Sequence, residues 1–133
     1  MKKKAIIVII LLVLILFGIS VLLFNNDEAT EVGVFTLKDY ARELEEFYDG
    51  RLLGETNNER DAKEKAEQVW ISKFGNSIKK EKPYCVYYDS QSETWLVKGS
   101  FPKDWLGRDV LGGVAYILIQ KTNGKVLAVW HDA

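Results

Sequence analysis

The chain has 133 residues, with 18 Lys and Arg against 19 Asp and Glu, a formal net charge of −1 at pH 7, one His and one Cys. A single Cys excludes an intrachain disulfide, and one His with one Cys excludes a zinc site built from those residue types. With the lysines at positions 2 to 4 set aside, 15 basic side chains face 19 acidic ones and no basic block remains, so nucleic-acid binding has no electrostatic footing.

Residues 1–4 form a basic N-terminus, and residues 5–24 then run without a charge, almost all of them Ile, Leu, Val or Phe. At about 1.5 Å of rise per residue such a run reaches across the ~30 Å hydrocarbon core, so it is expected to be a transmembrane anchor. The lysines would hold the N-terminus in the cytoplasm, giving a single-pass protein of the cell membrane whose C-terminal domain is extracytoplasmic. Gly18-Ile19-Ser20 is a poor cleavage site for a signal peptide because the apolar run continues to Phe24. Lipid attachment would need a cysteine just after that run, and the cysteine of this chain is Cys85. Residues 25–35, beginning NNDEATEVGV, are polar and read as a linker, which leaves 36–133 as one domain.

In that domain Thr36 is a candidate N-cap, followed by Leu37, Tyr40, Ala41, Leu44, Phe47 and Tyr48 at helical spacing, which predicts a helix from Leu37 to about Tyr48. A second helix is predicted from Glu59 to Phe74, capped by Asn58, with Ala62, Ala66, Val69, Trp70 and Phe74 in one stripe and Gly75 as its stop. The period then changes to two. Tyr84 to Asp89 and Thr94 to Phe101 read as one hairpin, with Cys85 a small side chain in its first strand.

Asn123-Gly124 lies between two apolar runs and predicts a second hairpin with a two-residue type I′ turn. That turn sets Ile117 opposite Trp130 and Tyr116 opposite His131, with Ile117, Ile119, Ala128 and Trp130 on one face and Tyr116, Leu118, Leu127, Val129 and His131 on the other. Both faces are apolar. The predicted architecture is α+β: an N-terminal transmembrane helix, then two helices packed on one face of a curved, mostly antiparallel four-stranded sheet. The second face must be covered by curling of the sheet, by the loop Pro102 to Leu111, or by another protein.

The inventory for chemistry is thin. There is no Gly-rich phosphate loop and no Gly-x-Ser-x-Gly elbow, and no catalytic residue, metal or cofactor is expected. Tyr116 and His131, as a cross-strand pair, form the best acid/base couple; the competing reading is a His at a strand end that frays into water. Acidic pairs such as Glu43 with Glu46 and Asp61 with Glu64 read as solvated helix faces. The segment GSFPKDWLGRDVLGG sets Trp105 and Leu106 among Lys103, Asp104, Arg108 and Asp109, a composition favoured at protein interfaces. Trp105, Arg108 and Asp109 are the candidate partner-binding residues, against the alternative that Trp105 plugs the core.

Several of these residues carry a family resemblance. Ala62, Ala66 and Trp70 leading to Phe74-Gly75, then Lys82-Pro83-Tyr84, Trp95-Leu96-Val97-Lys98-Gly99 before Pro102, Gly112-Gly113-Val114-Ala115-Tyr116 and Asn123-Gly124-Lys125-Val126-Leu127 together resemble the immunity proteins of the nuclear transport factor 2 fold, encoded beside bacterial polymorphic toxins. The resemblance implies a cone-shaped, cystatin-like domain whose curved sheet encloses the second apolar face. It also implies a non-enzymatic role, neutralising a cognate toxin by direct binding. The Gly-Lys-Val-Leu hairpin is also similar to that of PepSY-type domains, which implies as an alternative an extracytoplasmic module regulating a peptidase or sensor. A small cone-fold enzyme using Tyr116 and His131 is the third reading.

Overall fold

The computed structural model describes residues 2–24, 32–110 and 112–133, with the side chains of 17–24 left aside. The chain divides into two compact units, Met1–Thr30 and Glu31–Ala133.

The first unit holds one helix, α1 (Lys2–Phe24). Among the described residues no helix is long and apolar enough to cross a membrane. The apolar part of α1 whose side chains are described, Ala5 to Leu16, covers about 18 Å at 1.5 Å per residue, short of the ~30 Å hydrocarbon core. This finding corrects the expected transmembrane anchor over 5–24, and with it the single-pass cell-membrane location and the membrane as a partner. Most of the expected linker, residues 25–31, lies outside the described residues.

The second unit is built on a five-stranded mixed sheet in the order β1-β2-β3-β4-β5: β1 (Gly33–Val34), β2 (Cys85–Asp89), β3 (Thr94–Lys98), β4 (Ala115–Gln120) and β5 (Val126–His131). The four-stranded expectation is corrected by β1, which pairs in parallel with β2 through Gly33 with Tyr87 and Val34 with Tyr88. Two residues cannot display a period of two, so this strand had no pattern to read. Gly33 is required there because the Tyr87 ring occupies the space a Cβ would need.

Between β1 and β2 lie a 3₁₀ turn (Leu37–Tyr40), α2 (Ala41–Glu46), α3 (Glu59–Phe74) and a second 3₁₀ stretch (Asn76–Glu81). Helix α3 has the bounds its sequence predicts: the Asn58 side chain accepts the Asp61 N–H at 2.9 Å, and Gly75 stops it at φ +86°. The first helix is shorter than expected. Thr36 makes no side-chain cap; the Leu37 N–H is accepted instead by Asp89 Oδ2 at 3.0 Å, from the far end of β2.

The two helical pieces lie on opposite faces of the sheet, which answers what covers the second face. On one face α3 buries Ala62, Ala66, Val69 and Trp70 against Val86, Val97, Ile117, Ile119, Val126 and Val129. Trp70 is fully buried, meets Tyr84 edge-on at 5.1 Å, and donates its Nε1–H to the Tyr116 carbonyl at 3.2 Å. On the other face Phe35, Leu37, Tyr40, Leu44 and Phe47 pack over Leu96, Leu118, Ala128 and Trp130. The expectation of both helices on one face, with the sheet curling over the other, is therefore replaced by a sheet sandwiched between helices, and both its faces are apolar for that reason.

The register of the last hairpin also differs from the expected one. Its connection is Lys121 to Gly124, closed by Gln120 N–H to Lys125 C=O at 2.9 Å and Gly124 N–H to Gln120 C=O at 2.9 Å. Among non-glycine residues in positive φ Asn123 does not appear, so the turn is not type I′; only Gly124 takes the left-handed conformation, at φ +65°. A bulge follows, where Leu118 pairs with Ala128 but Ile119 pairs with Val126. The resulting slip moves Trp130 opposite Tyr116 and Val129 opposite Ile117, so Trp130 and Ala128 face α2 while Val129 faces α3.

The outer edge of β5 is sealed by the segment after α2. Val126 N–H donates to the Arg51 carbonyl at 2.9 Å, Gly50 N–H to Val126 at 2.8 Å, and Val129 N–H to Phe47 at 3.1 Å. Asp49 ties that segment to α3 through Arg51 and Lys73.

Candidate partner-binding site

The acid/base couple does not form. His131 pairs with Ala115 and Tyr116 with Trp130, so the two side chains point to opposite faces of the sheet. Tyr116 stacks flat on Trp130 at 5.0 Å between ring centroids. Burial raises its phenol above the ordinary value, and the Asp132 carboxylate raises it further. His131 Nε2 lies 2.9 Å from Glu81 Oε2, with Phe74 edge-on to its ring at 5.7 Å. No proton can pass between the two groups in this arrangement, which removes the geometry on which the enzymatic reading rested.

The described residues of the connection from β3 to β4 are held by hydrogen bonds at its roots and along its length. Its roots are held by Glu81, only 5% exposed: the Glu81 carbonyl accepts the Ser100 N–H at 2.7 Å and its Oε1 accepts the Ala115 N–H at 2.7 Å. Gly99 N–H donates to Ala115 C=O at 2.9 Å, and the Glu81 side chain fills the space a Cβ on Gly99 would take. Sequence reasoning passed over Glu81, because a Glu in the run KKEK reads as solvated. The signal that could have found it is the glycine, which leaves room for something close.

Beyond the roots the loop is itself a small hairpin. Val110 N–H donates to Pro102 C=O at 2.7 Å, Asp104 N–H to Arg108 C=O at 2.8 Å, and Gly107 N–H to Asp104 C=O at 2.9 Å. The Asp104 carboxylate organises the tip. Its Oδ1 accepts the N–H groups of Leu106 and Arg108, both at 2.9 Å, and its Oδ2 accepts Arg108 Nε at 2.9 Å. The Arg108 amide hydrogen bond is the main cause that lowers this carboxyl below its usual range; burial opposes it, and the hydrogen bonds from the Arg108 side chain and the Leu106 amide add to the lowering. An Asp whose side chain bonds to N–H groups two and four residues on, with Gly107 at φ +76°, is an Asx-type turn that the sequence Asp-Trp-Leu-Gly could have announced. Lys103 pairs with Asp109 across the hairpin.

At the tip Trp105 is 89% exposed, so it does not plug the core, and Leu106 beside it is exposed as well. Phe101 and Val110, on the two arms, are also exposed. The three candidate residues are thus brought into one element, but in different conditions: Trp105 projects freely, whereas Arg108 and Asp109 are engaged by Asp104 and Lys103. A separate hollow of about 440 Å³ lies between the first 3₁₀ turn, α2 and the β2–β3 connection, and its one carboxylate, Asp89, is used by Leu37, Gln91 and Ser92. Among the described residues no group of three His, Cys, Asp or Glu side chains could hold a metal ion.

The model of a family described as NTF2 fold immunity protein matches residues 62–133, more than half of the chain. The chain belongs to this family. As an NTF2 fold immunity protein it has, in general terms, a role in toxin immunity. The match takes in most of α3, the strands β2 to β5 and the loop they carry; β1 and α2, which complete the sheet and cover its second face, precede it. Neither the curated proteins nor the solved structures give a match.

Proposed function

We propose that this immunity protein acts without catalysis, neutralising a cognate toxin by binding it directly, with residues 36–133 as the immunity domain and the loop 102–110 as its contact element. Trp105 is the anchor, with Arg108 and Asp109 beside it. The observation that carries this reading is a tryptophan 89% exposed at the tip of a hairpin held by backbone hydrogen bonds and an Asp-centred turn. Large aromatic side chains on a pre-ordered element bind with little loss of conformational freedom, and Trp is enriched among interface hot spots. The test is a titration of the toxin encoded beside this chain with the purified full-length protein, following residual toxin activity. Inhibition should be complete near one equivalent and reverse on dilution of a weakened variant. Inactivation of many equivalents of toxin by one of this protein would refute it, because that outcome requires turnover.

A further inference from the structure

Four charged side chains lie between Gly99 and Gly113, two of each sign, and all four are engaged inside the loop. Lys103 pairs with Asp109 and Arg108 with Asp104, while the remaining lone pairs of Asp104 hold the Leu106 and Arg108 amides. A charged partner surface would have to compete with contacts that shape the turn. What the hairpin presents unengaged is apolar: Trp105 and Leu106 at the tip, with Phe101 and Val110 behind them on the arms. A projecting apolar tip of this kind loses water most completely in a recess, since a flat surface would leave one side of the indole wet.

Building on the reading of this loop as the toxin-binding element, we infer that it inserts Trp105 and Leu106 into a concave apolar pocket of the toxin. Arg108 and Asp109 are then positioning residues, keeping the turn in shape without meeting the partner's charges. The charges of the loop cancel, so its contribution to binding is nearly independent of ionic strength, in contrast to recognition through rim charges, which salt screens.

The experiment measures the dissociation constant of the full-length protein with the toxin encoded beside it, at 0.05 and 0.5 M NaCl, for the wild type, Trp105→Ala, Leu106→Ala, Trp105→Phe and the double variant Arg108→Gln/Asp109→Asn. Thermal melts of each variant show that the fold is kept, as the exposure of Trp105 requires. Trp105→Ala is expected to weaken binding about thirty-fold or more, as an interface hot spot does. Leu106→Ala should weaken it several-fold, Trp105→Phe should restore most of the loss, and the double variant, which loosens the turn without removing a contact to partner charge, should differ from wild type by the same factor at both salt concentrations. If the double variant loses about ten-fold or more at low salt and recovers its standing against wild type at high salt, the loop meets charge and the apolar pocket is refuted, although the loop remains the contact element. If wild type binds and both Trp105→Ala and Leu106→Ala bind equally well, the loop is not the contact element and both readings fall.

Discussion

Replacing Gly124 by Ala tests how the last hairpin is locked to the rest of the domain. Gly124 sits at φ +65°, where an L side chain costs roughly 1 to 2 kcal/mol. Space is the larger constraint: a Cβ there would overlap the Gly54 carbonyl, and its backbone nitrogen as well. Gly54 cannot yield without loss, since Leu53 N–H donates to Gly124 C=O at 3.0 Å and Gly54 N–H to Asn123 C=O at 3.0 Å. Two such bonds at about 1 kcal/mol each bring the expected cost of Gly124→Ala to about 3 to 4 kcal/mol. Two residues on, the Thr56 carbonyl accepts Trp95 Nε1–H at 2.8 Å, so the displacement reaches the core. Gly107→Ala is the internal control, with φ +76° and nothing within 4 Å of its Cβ, and should cost only the backbone strain. Urea unfolding of the three proteins, read as midpoint shifts at constant slope, decides the matter. Equal losses for the two variants would show that the approach of Gly54 constrains nothing.

Trp70→Ala should cost about 3 to 5 kcal/mol, because it empties a fully buried site and leaves the Tyr116 carbonyl without its indole donor; a loss under about 1 kcal/mol in thermal unfolding would contradict the packing described. Asp49 supplies a pH dependence. Burial pushes its carboxyl up, but hydrogen bonds from Arg51 and Lys73 outweigh that and hold it at about 2, below the ordinary 3.8. A depressed carboxyl stabilises the fold above its unfolded value, and that stability is lost as pH falls from about 4 to about 2. Arg51 is 39% exposed, so solvent screening reduces the contribution to about 1 to 2 kcal/mol. Asp49→Asn should be less stable than wild type at pH 7 and converge with it near pH 2; parallel stability curves across that range would count against it.

What could be read from the sequence followed how local each signal is. Helix α3 was legible from end to end because Asn58, the apolar stripe and Gly75 are contiguous. The strands β2 to β5 were legible as strands, but the register of the last hairpin was not. Its connection is four residues long, and a bulge at Leu127 leaves two consecutive side chains, Leu127 and Ala128, on one face. The slip misplaced Trp130 and thereby created an apparent Tyr116–His131 couple. Strand β1 depends on a partner more than fifty residues away and on a glycine fitted against Tyr87, neither visible locally. The loop was recognised by its composition, and Trp105 with it. The roles of Asp104 and Glu81 were hidden because an acidic residue that bonds to backbone amides looks, in sequence, like one that faces water.

The way the loop is rooted separates two kinds of selection. Its hydrogen bonds and ion pairs close between Pro102 and Val110, and its ends are clamped at Ser100 and Ala115; among the described residues neither Trp105 nor Leu106 belongs to either core. A change at Trp105 or Leu106 is therefore silent toward folding and felt only by whatever the tip meets, whereas a change at Glu81, Gly99 or Asp104 alters the scaffold that presents it. If Trp105 is the toxin contact proposed above, this separation lets the tip change with its target without a cost in folding, while substitutions in the sheet beneath it are limited by its packing.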